Sequence, residues 1–219
     1  VNAIQNFSNQ NFVRIGNNGG YLIRNIDPSV SYTFPIGLLD GINNEYNPVT
    51  FDGLTGTSGY LGARVDFGTG NNLAHVGASG IPSSSFIQKY WTIDSTTLQI
   101  NGKLRFYYND DDIYNTETEI TKIGRWNPVK EGTPGSWTFP FSTSNYNYAS
   151  NYFETTANFN YTGFKGDWAF GSENYYRRLF FSRQSGNWND ENTWTYNSSH
   201  IGPIFGTGMW PNFPDDSVT

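Results

Sequence analysis

Asn109-Asp-Asp-Asp112, followed by Glu117 and Glu119, crowds carboxylates more densely than any other stretch of the chain. Hard oxygen ligands gathered in one loop are what Ca2+ binds, so Asp110, Asp111, Asp112, Glu117 and Glu119 are candidate calcium ligands. Their spacing departs from the EF-hand pattern, because Tyr114 falls at the fifth position and no glycine follows at the sixth. The competing reading is a solvated turn whose Asp side chains bond nearby backbone N–H groups.

Paired carboxylates can also hydrolyse glycosides, and Asp110, Glu117, Glu119, Glu154 and Asp167 are of the right type. That chemistry needs two of them at a defined separation in a cleft, and no local pattern singles out a pair. His75 and His200 are the only histidines and stand far apart, with no local partners for a zinc site or a nucleophilic triad. With no nucleophile, metal or cofactor motif, the chain reads as a non-enzyme.

Aromatic faces offer a different chemistry, stacking on the C–H face of sugars while neighbouring Asn and Asp bond hydroxyls. Trp91 and Trp126 fall within strand-like runs and are expected to be buried. Trp137, Trp188 and Trp210 lie beside Gly, Ser and Pro and are the candidate exposed platforms. Ordinary core packing is the rival explanation for each. Two short matches, Asp94-Ser-Thr96 and Asp216-Ser-Val218, fit an Asp-Ser/Thr O-glycosylation sequon and mark Ser95 and Ser217.

The elements that must hold these residues are strands. Aromatics make up 18% of the chain and charged residues only 15%, with 24 glycines supplying turns. Such side chains favour pleated, half-buried surfaces. With 13 Lys+Arg against 19 Asp+Glu, the net charge of -6 offers nothing to a polyanion, and nucleic acid is excluded as an expected partner. No apolar run approaches the ~20 residues of a bilayer span, and no signal peptide opens the chain. It is expected to be mature or excised from a longer precursor. The absence of Cys rules out disulfides and thiolate chemistry.

Alternation bounded by Gly, Asn, Asp or Pro recurs along the chain. Phe12-Val-Arg-Ile15 and Tyr21-Leu-Ile-Arg-Asn-Ile26 flank Asn17-Asn-Gly-Gly20 and predict an N-terminal hairpin. Ser31 to Gly37, Tyr46 to Phe51 and Tyr60 to Phe67 each read as a strand. Asn101-Gly102 predicts a tight turn between Leu98-Gln-Ile100 and Leu104-Arg-Phe-Tyr-Tyr108. Between Tyr152 and Tyr161 one face is predicted buried and the other wet. Tyr175 to Ser182 reads as a last strand before the block holding Trp188 and Trp194.

Short strands at intervals of roughly 8–12 residues, without helical periodicity, predict an all-β fold. The expected architecture is an antiparallel β-sandwich or jelly-roll-like domain over 1–178. A short Trp/Gly/Pro-rich β segment follows over 179–219, as the start of a further β module or a subunit-contact region.

Ser185-Gly-Asn-Trp-Asn-Asp-Glu-Asn-Thr-Trp194, with His200-Ile-Gly-Pro203 and Asp215-Asp-Ser-Val218, resembles the SGxWxDxxTW…SHxGP…DxV segment of large secreted surface proteins of Bacteroidota-type bacteria, many of them type IX secretion cargo. Phe34-Pro-Ile-Gly37 with Tyr46-Asn-Pro-Val49 resembles their FPVG…YxPV pair. Lys89-Tyr-Trp-Thr-Ile93 resembles their RYWxI strand, and Phe106-Tyr-Tyr-Asn-Asp110 with Arg125-Trp126 their FxYxD…RW stretch. The resemblance implies an extracellular or cell-surface location and a β module, and no catalytic residues.

The expected function is therefore a non-catalytic structural or adhesive module of a secreted, cell-surface or extracellular filamentous protein, with itself or neighbouring modules as partners. The alternative is a carbohydrate-binding module using exposed Trp and Tyr, with glycans as ligands. Both ends read as half of a strand pair, so Val1, Ile4 and Val218 are candidate subunit contacts through strand addition, the alternative being a fragment of a larger polypeptide whose next module supplies the partner strand covalently.

Overall fold

The computed structural model describes residues 4–15, 20–40, 43–68, 85–96, 99–127, 136–138, 144–155, 159–160, 165–176, 179–195 and 217–218. The described strands are, in chain order, β1 (Val13–Arg14), β2 (Leu22–Ile26), β3 (Tyr32–Phe34), β4 (Ile36–Asp40), β5 (Asn43–Tyr46), β6 (Val49–Thr57) and β7 (Gly59–Phe67). Next come β8 (Phe86–Ile87), β9 (Lys89–Thr96), β10 (Gln99–Tyr107), β11 (Ile113–Tyr114), β12 (Lys122–Asn127), β13 (Ser136–Thr138) and β14 (Ser144–Asn147). The series ends with β15 (Tyr152–Thr155), β16 (Phe159–Asn160), β17 (Gly166–Gly171), β18 (Leu179–Ser182), β19 (Trp194–Thr195) and β20 (Ser217–Val218). The helical turns among them are 3-10 in type. No helix among the described residues is long and apolar enough to cross a membrane.

Two large sheets face each other. One runs β14-β15-β10-β6-β3 with β16 also on β10; the other runs β11-β8-β17-β9-β7-β2 with β12 on β17 and β13 on β12. Alternation turns Phe34, Val49, Phe51, Leu104, Phe106 and Phe153 inward from the first, and Ile26, Leu61, Val65, Trp91, Trp168 and Phe170 inward from the second. Phe106 of β10 meets Trp91, Trp168 and Phe170 at ring-centroid distances of 5.6, 5.5 and 5.1 Å. The fold is thus the expected all-β, sandwich-like one, with an aromatic centre. Trp91 and Trp126 are buried, as their strand contexts predict.

Two prolines move the chain between sheets. Ser31 to Gly37 is two strands, not one: β3 pairs with β6, and beyond Pro35 β4 pairs with β5 and, in parallel, with β1. Tyr46 to Phe51 is likewise split at Asn47-Pro48, because proline has no N–H for the ladder. The β4–β5 hairpin is therefore an excursion inserted between the paired strands β3 and β6. Gly37 keeps it tight: a Cβ there would meet the Glu45 carbonyl and lie 2.5 Å from the Phe12 ring.

The N-terminal hairpin is not formed. β1 pairs in parallel with β4, while β2 pairs antiparallel with β7, so the two strands expected to pair lie in different sheets. Local turn chemistry lost here to the apolar pairing of β2 on β7. Asn101-Gly102 is not a turn either; it lies inside β10, where the register against β6 shifts between Asn101 and Lys103. A Cβ on Gly102 would come within 2.5 Å of Leu54 Cδ2 and 2.8 Å of the Asp52 carbonyl, so glycine is required there by space. Tyr175 belongs to a 3-10 turn, Glu173–Tyr176, and the following strand starts at Leu179. Within 179–219, β18 pairs with β19 and, in parallel, with β20.

Candidate functional site

Lys89 opens β9, in phase with Trp91 and Ile93, so the strand's two-residue period turns its side chain into the core with theirs. The lysine is 0% exposed. A buried ammonium persists only with partners, and two carboxylates supply them. The excursion hairpin brings Glu45, 5% exposed, whose Oε2 lies 3.1 Å from Lys89 Nζ. Asp112, 4% exposed, ends the 3-10 turn Asp110–Asp112, and its Oδ1 contacts the same Nζ. The Phe67 ring lies 5.4 Å from Nζ.

Neutral donors hold both carboxylates. Asp112 Oδ2 accepts from Asn47 Nδ2 at 3.0 Å and from the Asn109 backbone N–H at 2.8 Å. Glu45 Oε2 accepts from Asn109 Nδ2 at 2.7 Å. Trp91 Nε1 donates to the Asn47 carbonyl at 3.0 Å, tying the Pro48 break to the core indole. The Gln88 N–H donates to the Asp112 carbonyl at 2.8 Å, fixing the turn against the start of β9. Burial pushes the Asp112 carboxyl above its ordinary range, while the Lys89 ammonium and its hydrogen bond pull it down. Asn47 Oδ1, also buried, has no hydrogen-bond partner among the described residues.

The five acidic residues singled out by sequence do not converge. Asp110 Oδ1 accepts from Asn151 Nδ2 at 2.6 Å, Glu117 Oε1 from the Tyr108 hydroxyl at 2.7 Å, and Glu119 Oε2 from the Ser85 hydroxyl at 2.6 Å. Asp111 and Asp112 instead join Glu45, all three offering oxygens within 4.8 Å of one another. The third carboxylate of that group and the lysine both escaped the sequence reading. Glu45 lies 44 positions before Lys89, and nothing local marks it. Lys89 was legible in principle, as a charge in phase with Trp91 and Ile93.

The remaining candidates are dispersed. Glu154 is engaged by Arg105 at 2.8 and 2.5 Å, and Asp167 accepts from Thr92 Oγ1 at 2.7 Å, on opposite sheets. Trp188 is 56% exposed; its carbonyl accepts from Trp194 Nε1 at 2.8 Å, and the two rings meet edge to face at 5.0 Å. A shallow groove there is lined by Ser182, Arg183, Gln184, Gly186, Trp188 and Trp194. Trp137 sits opposite Trp126 in the β12–β13 ladder, and Ser95 opposite Leu61 in the β7–β9 ladder. Ser217 and Val218 pair with Leu179 and Phe180 of the same chain. For Trp137, Ser95, Ser217 and Val218 the backbone alone is described. Ile4 is half-buried, beside Phe7, Arg24 and Tyr32 in a groove. Val1, Trp210, His75 and His200 lie outside the described residues.

Compared with known proteins, the chain matches no family model, no curated protein and no solved structure.

Proposed function

We propose that this chain is a non-catalytic structural or adhesive module of a secreted, cell-surface or extracellular filamentous protein. The observation that carries the reading is the burial of Lys89, Glu45 and Asp112 against one another. This charged grouping is sealed and joins the excursion hairpin, β9 and the acidic turn. Such a group stiffens a module; it does not receive a substrate. The modification expected at Ser95 and Ser217 belongs with a surface location, and intact mass of native-host protein tests it.

Assembly in such a protein works through edges. Among the described residues β2 ends the eight-stranded sheet, and its Ile23, opposite Gly62 of β7, is 62% exposed. Val218 is already paired with Phe180, so a partner strand at that end adds to the outer side of β20. Sedimentation of the protein over a range of concentrations is the test. Concentration-dependent assembly that Ile23→Lys abolishes, with the fold intact, supports the reading. A wild-type chain that stays monomeric throughout removes strand addition.

Trp188 favours a second reading, carbohydrate binding, because a large indole is held out to solvent by Trp194. A glycan array with wild type and Trp188→Ala separates the two. Binding lost in the folded variant establishes the sugar site, and an array without signal removes it.

A further inference from the structure

We propose that Lys89 and Asp112 become joined by an intramolecular isopeptide bond, which the folded chain forms by itself with Glu45 carrying the proton. The inference stands on the buried group and does not depend on how the module assembles.

An amide forms from an amine and a carboxyl group when they are held together, kept dry, and given a route for the proton and a donor for the oxygen that takes up charge. All four conditions meet here. Lys89 Nζ is in contact with Asp112 Oδ1, which places the nucleophile one C–O bond from the carbon it must attack. Both side chains are fixed from opposite directions, by β9 and by the turn bonded to Gln88, so encounter is intramolecular and oriented. The three residues are all but sealed from water. Burial pushes the Asp112 carboxyl up, toward the neutral acid that a condensation needs.

The hydrogen bonds sort the two Asp112 oxygens into different roles. Oδ2 receives the Asn47 Nδ2 and Asn109 N–H donors at 3.0 and 2.8 Å, so it is the oxygen prepared to hold negative charge in a tetrahedral intermediate. Oδ1 faces the amine and is the oxygen that leaves. Glu45 Oε2, steadied by Asn109 Nδ2 at 2.7 Å, lies 3.1 Å from Nζ and takes its proton.

The step balances. The Lys89 amine attacks Asp112 Cγ and forms the Nζ–Cγ bond; Glu45 accepts a proton from Nζ and returns it to Oδ1. The Cγ–Oδ1 bond then breaks, and one water departs. Glu45 ends as it began, nothing is oxidised or reduced, and no outside reactant is needed. The product closes a covalent loop from the start of β9 to the acidic turn, a constraint of the kind disulfides supply, in a chain without Cys.

Intact-mass spectrometry of the folded protein decides it, followed by proteolysis and fragmentation of the peptides. The expected result is a mass one water below that of the sequence, with a branched peptide linking Lys89 to Asp112. Lys89→Arg keeps the charge but cannot condense usefully, and Glu45→Gln removes the proton carrier. Each, shown folded by circular dichroism, should run at full sequence mass. Folded wild-type protein at full sequence mass overturns the proposal, whatever the variants do. So does a missing water that maps within a single unbranched peptide. Full bond formation in Glu45→Gln overturns the role given to Glu45.

Discussion

Phe153 of one sheet lies against Phe170 of the other with ring centroids 4.7 Å apart and planes 11° from parallel. Phe170 also meets Trp91 edge to face at 5.3 Å and Phe106 at 5.1 Å, so a single ring joins β15, β10 and β9 through β17. Removing it leaves a cavity whose walls belong to rigid ladders on both sides, which limits collapse. Phe170→Ala is expected to cost about 3–5 kcal/mol, read from the shift of the urea midpoint. Val30→Ala, at an exposed position, should change stability by no more than about 0.5 kcal/mol. Equal effects from the two would show that the sheets do not pack through this ring.

Gly102 gives a sharper test of register. Because a Cβ at this position meets Leu54 and the Asp52 carbonyl, Gly102→Ala must push β6 and β10 apart at the bulge. The expected loss is about 1–3 kcal/mol, as for overpacking in general. At Gly20 nothing lies within 4 Å of a Cβ, and Gly20→Ala should be close to neutral. If Asn101-Gly102 were instead an open turn, the two substitutions would behave alike.

That position also shows what could be read from the sequence. Strand character and the inward faces of β6, β10 and β15 follow from alternation alone, because each strand's period depends only on its own residues. Pairing depends on residues far away, and there local signals misled: Asn17 to Gly20 suggested one hairpin and Asn101-Gly102 another. Pro35 and Pro48 were visible as residues of a resemblance, but their effect, moving the chain out of one sheet and back, appears only once β3 and β6 are seen to pair. The candidate site followed the same rule. Asp112 stands out through its acidic neighbours, Lys89 only as a charge in phase with Trp91 and Ile93, and Glu45 becomes relevant only when the excursion hairpin delivers it.

Lys89→Met leaves Glu45 and Asp112 buried without an internal cation. Removing one partner of a buried ion pair costs about 3–5 kcal/mol, and the constraint of the proposed Lys89–Asp112 bond is lost as well, so a thermal melt should show at least that order of loss. The same variant sharpens the calcium question. With Lys89 gone, the oxygens of Glu45, Asp111 and Asp112, within 4.8 Å of one another, are relieved by a divalent ion instead. Calcium should then raise the Tm of Lys89→Met more than that of the wild type, by the linkage between binding and folding. Identical melting of the variant in calcium and in chelator would count against these three residues as an ion site.

Alkaline pH should unfold the protein through its buried and half-buried tyrosines. Burial, with Tyr107 nearby, pushes the Tyr46 hydroxyl up to about 12, and burial, with Tyr146 and Glu117 nearby, does the same for Tyr148. Tyr108, beside Glu117, and Tyr175 are raised for the same leading reason, loss of water around the phenol. Below the ordinary tyrosine value of 10.0 these groups are protonated whether the chain is folded or not, and their contribution is fully present. As pH rises past that value the unfolded chain releases protons that the folded chain retains. Fewer protons bound in the unfolded state make the pH slope of stability negative, so stability falls between about pH 10 and pH 12. Urea midpoints measured across this window should decline steadily, with phenolate absorbance appearing alongside unfolding. Tyr46→Phe removes one of the responsible groups, so its decline should be shallower than that of the wild type. A slope unchanged in Tyr46→Phe would mean that the Tyr46 hydroxyl is not protected by the fold.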